Sequence, residues 1–164
     1  MLATLLDMTT YEEALMSNVR RTPEPAPRHW LGVVSLAHVE RGVAGGFAQL
    51  CHGRMAPLVR MRAGDWLVYY SPATEMRGGN KLQAFTAIGQ LADDRVYPID
   101  MGDGFVPFRR DVRYRRARAA PMAALAHRLH LTAQTGWGAK LRQGHLAIDA
   151  HDFHLIAAAM GIDD

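Results

Sequence analysis

A single cysteine, Cys51, excludes any intrachain disulfide and points to a reducing compartment. No apolar run approaches the ~20 residues that a bilayer-spanning helix requires. The N-terminus, MLATLLDMTTYEEALM, has no basic stretch ahead of its apolar residues and carries acids after them, so it does not read as a secretory signal. A cytoplasmic protein with no membrane partner is expected. Also missing are G-x-S-x-G, the P-loop sequence and G-x-G-x-x-G, so the chain shows none of the familiar nucleophile-elbow or nucleotide signatures and no cofactor is expected. Lysine is nearly absent too: among nineteen basic residues only Lys81 and Lys140 are lysine.

What takes lysine's place is arginine, in a chain of formal net charge +3 and pI 9.3. Its planar fork of donors suits phosphate and stacks on bases. The abundance of Ala and Gly fits a GC-rich coding source equally well, so the bias carries little weight alone. At 164 residues and 49% hydrophobic, the chain suits one globular domain with one core.

Residues 1–28 read as an appendage. Thr10 and Glu13 resemble a capping box before a short helix, and RRTPEPAPR then runs as a proline-rich tether. The domain is expected over residues 29–164. WLGVVSL, WLVYYS and LQAFTAIGQL read as strands, the last with Gln83, Phe85, Ala87 and Gly89 on one face. RVYPIDMG and FVPFRRDVRYRRARA read as two more, and QGHLAID as another. AHVERGVAGG reads as a short helix or turn broken by its glycines, and PMAALAHRLHL as a helix. Asp149 caps a last helix ended by Gly161. Short connections leave little room for parallel crossovers. The expected class is therefore α+β, a small, mostly antiparallel β-barrel flanked by short helices.

The segment Gly45–Pro72 concentrates the suggestive chemistry. Phe47 sits between glycines and the polar residues Gln49, Cys51, His52 and Arg54, outside any apolar period. An aromatic ring ringed by amide, imidazole and guanidinium groups can stack a planar ligand and read its edge. Trp30 is a second candidate surface, weighed against plain core packing beside a Val-rich strand. Ser35, His38, Gln49 and His52 are candidates for the edge. Tyr69 and Tyr70 must face opposite ways on their strand, and Tyr70 is taken as the pocket candidate. Trp137, between two glycines, is placed at a rim, or docked on the barrel. The run Arg109, Arg110, Arg113, Arg115, Arg116 and Arg118 alternates with apolar residues at strand spacing and can track a phosphate backbone, or be a solvated face.

Metal and nucleophile patterns are weak. His151 and His154 share a helix face without a third ligand, and Cys51 beside His52 does not by itself make a nucleophile and base. No metal site and no catalytic residue are expected.

HWLGVVSLAHVERGVAGGFAQLCHGRMAPLVRMRAGDWLVYYSP, with LQAFTAIGQL, MGDGFVPFRRDVRY and the segment from Trp137-Gly138 to Leu146, closely resembles the EVE domain family. The resemblance covers about residues 29–160. It implies a PUA-like barrel related to YTH domains, and a pocket that takes a modified base of DNA or RNA. Phe47 falls where YTH domains place a cage tryptophan. Where many family members have His-Gly-Lys, this chain has Arg54, a fork in place of a point charge. The expected function is a non-catalytic reader of a modified base. Trp30, Ser35, His38, Phe47, Gln49, His52, Arg54, Tyr70 and Trp137 would hold the base, and Arg109, Arg110, Arg113 and Arg115 the backbone. Any effector activity is expected from a partner protein or from binding itself. Two other readings compete with it. One is a hydrolase of modified nucleotides or nucleosides using Cys51, His52 or Asp65. The other is a module whose arginine face binds nucleic acid non-specifically.

Overall fold

The computed structural model describes residues 22–163. The expected capping box at Thr10 and Glu13, and most of the appendage, lie outside them. Residues 22–28 run without regular secondary structure into the first strand.

That strand, β1 (His29–Val33), is followed by α1 (Leu36–Gly45), β2 (Phe47–Ala48) and α2 (Met55–Val59). Next come β3 (Trp66–Ala73), β4 (Lys81–Leu91), β5 (Tyr97–Pro98), β6 (Phe108–Tyr114) and β7 (Ala120–Pro121). Three short helices follow: α3 (Met122–Leu125), α4 (His130–Ala133) and α5 (Trp137–Leu141). β8 (His145–Ile148) and α6 (Ala150–Ala159) complete the chain. The strands form one curled sheet in the order β2-β6-β4-β3-β1-β8, with β5 on β6 and β7 on β4. Only β1 with β3 is parallel. The result is an antiparallel-dominated half-barrel with six α-helices among the described residues.

Both faces of the sheet are covered, which is why WLVYYS is apolar throughout instead of alternating. Trp66, Val68 and Tyr70 of β3 face a first core with Leu31, Phe85 and Ile88, closed by Leu125, Leu131, Phe153 and Ile156 of the C-terminal helices. Leu67 and Tyr69 face a second core with Trp30, Val39, Leu50, Leu58 and Val112. The expected single core is thus two, back to back.

The face assignment of β4 needs correction. Tyr69 pairs with Ala87 and Tyr70 with Phe85, so Thr86 is an extra residue at a bulge, its hydroxyl 2.8 Å from that of Ser71. The bulge moves Phe85 into the first core while Ala87 stays in the second. The helix expected over PMAALAHRLHL is broken into α3 and α4. Between them the chain turns so that the His130 and Leu131 N–H groups donate to the buried Asp152 carboxylate, at 2.7 and 2.8 Å. Asp149 caps α6 as expected, accepting from Asp152 N–H at 2.8 Å. Among the described residues no helix is long and apolar enough to cross a membrane.

Candidate functional site

The site is built where β2 joins β6. Phe47 pairs with Asp111 and Ala48 with Arg110, which carries Gln49 to the level of Arg109. There Arg109 Nε donates to Gln49 Oε1 at 3.0 Å, and its guanidinium lies 3.8 Å over the Phe47 ring. One face of Phe47 is therefore occupied by Arg109, and the ring's edge rests against Gly45, where any Cβ would come within 2.5 Å. Phe47 acts less as a bare platform than as the support of a guanidinium plane. That plane can itself stack on a base and carries charge as well. The bond to Arg109 also fixes the Gln49 amide, oxygen toward the guanidinium and nitrogen away from it.

From α1, His38 Nε2 donates to the Gln49 carbonyl at 2.9 Å. Burial, with the charges of Arg41 and Arg109, pushes its pKa down. A neutral ring that donates through Nε2 keeps Nδ1 as an acceptor. One turn earlier, Ser35 holds the extended N-cap position of α1, yet its hydroxyl does not cap the helix. His38 thus brings to the site a polar ring that the helix itself does not consume.

Beneath this surface lies a pair of buried phenols. Tyr114 Oη donates to the Phe47 carbonyl at 2.9 Å. Tyr69 hydrogen-bonds to Tyr114, and the Gln49 backbone N–H reaches the Tyr69 oxygen. Burial pushes both phenols far up, so they stay protonated and can donate. The relay pins the backbone on both sides of Ala48. Tyr69, not Tyr70, is therefore the tyrosine under the site. Tyr70 faces the opposite side of the sheet, edge-on to Phe85 with ring centroids 5.7 Å apart. The one-residue parity that separates adjacent strand residues made this a choice between two, and neither strand position was marked in the sequence.

On the other side of Gln49 the chain makes a left-handed turn: φ is +48° at Cys51, +61° at His52 and +80° at Gly53. Two consecutive non-glycine residues there cost roughly 1–2 kcal/mol each. The turn presents His52 and Arg54 to solvent and presses Gly53 against Pro107, where a Cβ would come within 2.3 Å. Cys51 lies with its thiol 3.5 Å from the Gln143 carbonyl, and burial pushes its pKa up, so it stays a weakly nucleophilic thiol.

Other expected site residues lie elsewhere. Trp30 is buried in the second core, its indole N–H donating to Asp65 at 3.0 Å and its ring stacked on His145 at 4.8 Å. Core packing is its role. Arg110 is a correction of the backbone assignment. It is 1% exposed, and its guanidinium donates to the carbonyls of Leu58 and Met61 at 2.8 and 2.7 Å and to that of Asp93. It clamps the loop after α2, on the same strand face as Val112 and Tyr114. Arg113 and Arg115 are exposed on the outer face, as expected for residues available to phosphate. Arg118 is bonded through Nε to the Ala159 carbonyl at the end of α6. Trp137 opens α5 and packs, half-buried, on the first core. Met101, whose sulfur accepts from Arg109 Nη2 at 3.4 Å, was not anticipated.

The nearest thing to a metal cluster among the described residues is His130, His151 and Asp152, within 4.8 Å of one another. The histidine partner of His151 is thus His130, from α4, and not His154. The two imidazoles stack at 3.9 Å and 9°, so their in-plane lone pairs run parallel instead of converging. His130 Nδ1 is taken by the Asp149 carboxylate and His151 Nε2 by the Arg128 carbonyl. The cluster is a capping knot for α4 and α6.

With this geometry in place, the relatives decide the family. The EVE domain model matches residues 28–159. The chain belongs to the EVE domain family. It is 43% identical over 136 residues to UPF0310 protein YdcG of Bacillus subtilis, covering 82% of this chain and 93% of that protein. A UPF0310 protein of Mesorhizobium japonicum is 48% identical over 136 residues, covering 81% and 91%. The fold is shared with Atu2648 of Agrobacterium tumefaciens (TM-score 0.56, 11% identity, 82% and 94% covered). Rpa0253 of Rhodopseudomonas palustris shares it as well (TM-score 0.54, 19% identity, 82% and 93% covered). In this EVE domain the polar cluster on β2 and β6 sits at the edge of the half-barrel, on β2, the terminal strand of the sheet order.

Proposed function

We propose that this EVE domain is a non-catalytic reader that takes one modified base of DNA or RNA against the Phe47–Gln49–Arg109 unit. The observation that carries the reading is the Arg109 guanidinium, stacked on Phe47 and bonded to Gln49. It is a planar, charged surface with hydrogen-bonding groups at its margin. A base lies against that plane, while Gln49, His38 Nδ1, Ser35 and the exposed His52 meet its edge. Arg54, Arg113 and Arg115 face the flanking phosphates. Discrimination comes from room for the modification together with hydrogen bonds to the ring edge, a few kcal/mol in total.

The hydrolytic alternative has less support. Asp65, one of its candidate bases, already accepts from the Arg28 and Arg62 backbone N–H groups, the Arg28 side chain and Trp30. Cys51 is held as a thiol. In titrations against oligonucleotides with single modified or unmodified bases, the wild type should prefer one modified form. Phe47→Ala, which removes the support of Arg109, should weaken that binding by about tenfold or more, as expected for ~1–3 kcal/mol of stacking. Unchanged affinity would remove Phe47 from the site. Product formation from a modified nucleoside, abolished by His52→Ala, would favour the enzyme.

A further inference from the structure

The hairpin joining β5 to β6 is ordered by its own hydrogen bonds. Ile99 N–H donates to the Pro107 carbonyl, Met101 N–H to Phe105, and Phe105 N–H back to Gly102, all at 2.9–3.0 Å. Gly102 N–H is taken by Asp100 Oδ1 at 2.9 Å, which commits that carboxylate to the turn. Yet the apex displays Met101, Phe105 and Val106, exposed by 52%, 45% and 48%, and none of them belongs to either core. Three large apolar side chains on one rigid apex serve no folding purpose and signal a contact surface.

Two connections tie this apex to the site. Arg109 bonds Met101 through Nη2 while covering Phe47 and holding Gln49. At the hairpin's base, Pro107 is pressed against Gly53 of the strained turn. A ligand seated on Arg109 therefore lies beside Met101, with Phe105 and Val106 farther out on the same hairpin. Near the base stand two arginines: Arg109, two residues after Pro107, and Arg54, which follows Gly53 in sequence and is exposed.

A base can lie against the Arg109 plane only by leaving its stack, and in a duplex it leaves a hole that must be filled. Apolar wedges inserted between base steps are a general way to offset that cost. We propose that Met101, Phe105 and Val106 form such a wedge, entering a double-stranded nucleic acid and occupying the space vacated by the extruded base. This rests on the modified-base reading above and narrows it to duplex substrates.

The test compares DNA duplexes with their single strands, each carrying one 5-methylcytosine, 5-hydroxymethylcytosine or N6-methyladenine, with 2-aminopurine replacing an adenine next to the modified base in the duplex. The full chain should bind the duplex carrying its preferred base and raise the 2-aminopurine fluorescence. The double substitution Phe105→Ser and Val106→Ser should weaken duplex binding by about tenfold or more and suppress that rise. Single-strand affinity and thermal midpoint should stay near wild type. An equal loss on both substrates, or no loss on either, would overturn the wedge. Self-association of the chain abolished by the same variant would also overturn it, reassigning the apex to a second copy. A chain that never distinguishes modified from unmodified bases in either form would instead overturn the reading on which the wedge rests.

Discussion

The two faces of the sheet are packed from different materials. The first core holds Leu31, Val68, Phe85, Leu125, Phe153 and Ile156, almost all aliphatic or plain aromatic. The second core has a comparable apolar base, but polar groups are built into it: the Tyr69–Tyr114 relay, Trp30 on Asp65, buried His145, and the Arg110 clamp. Apolar packing needs only shape, whereas each buried polar group must be given a partner and so fixes the backbone more exactly. The face that must place Phe47, Gln49 and Arg109 to within a fraction of an ångström is the one fitted with hydrogen-bonded networks.

That contrast can be broken from either side. The largest effect is expected on the first face. Phe153→Ala, at the centre of its core, should cost about 3–5 kcal/mol in chemical denaturation while leaving base preference intact. A loss of preference in the folded variant would mean the two faces are not separable.

His145 should give the second face its own signature. It is almost fully buried against Trp30, both ring nitrogens lack a hydrogen-bond partner, and burial and Arg60 push its pKa down to about 4 from 6.5. The unfolded chain therefore takes up a proton as pH falls below about 6.5, while the native protein resists until about 4. Stability should fall across that window by about 3 kcal/mol, at ~1.4 kcal/mol per pKa unit. Denaturation at a series of pH values should show this slope in the wild type and its loss in His145→Phe.

A smaller effect should follow from Tyr114→Phe, which removes the donor to the Phe47 carbonyl. It should cost about 1–2 kcal/mol, with faster amide exchange at Ala48 and Gln49 as the sharper readout. Unchanged exchange there would mean the relay does not hold the site.

Much of the fold was legible in the residues. β1, β3 and β4 follow from apolar strand-formers and α6 from its Asp149 cap. Arg110, by contrast, reads as a contact to the nucleic-acid backbone, although it shares strand parity with Val112 and Tyr114 and is buried. What could not be read was set by distant partners. α3 and α4 are separate because Asp152, on another helix, takes the His130 and Leu131 amides. Phe85 changed face through one extra residue at Thr86. The site was half legible: Phe47, Gln49 and His38 stand out by their setting. Their union with Arg109 depends on the β2–β6 register, which joins residues about sixty positions apart.

The most direct test is to titrate wild type and Arg109→Ala with an oligonucleotide bearing the preferred modified base and with its unmodified twin. Arg109 is half-buried and bonded to Gln49 and Met101, so the variant should lose about 1 kcal/mol of stability and remain folded. Its affinity for the modified oligonucleotide should fall by about tenfold or more, as loss of ~1–3 kcal/mol of stacking and charge implies, and the preference should shrink with it. Equal binding of the two oligonucleotides by the wild type, or an undiminished preference in Arg109→Ala, would contradict the account.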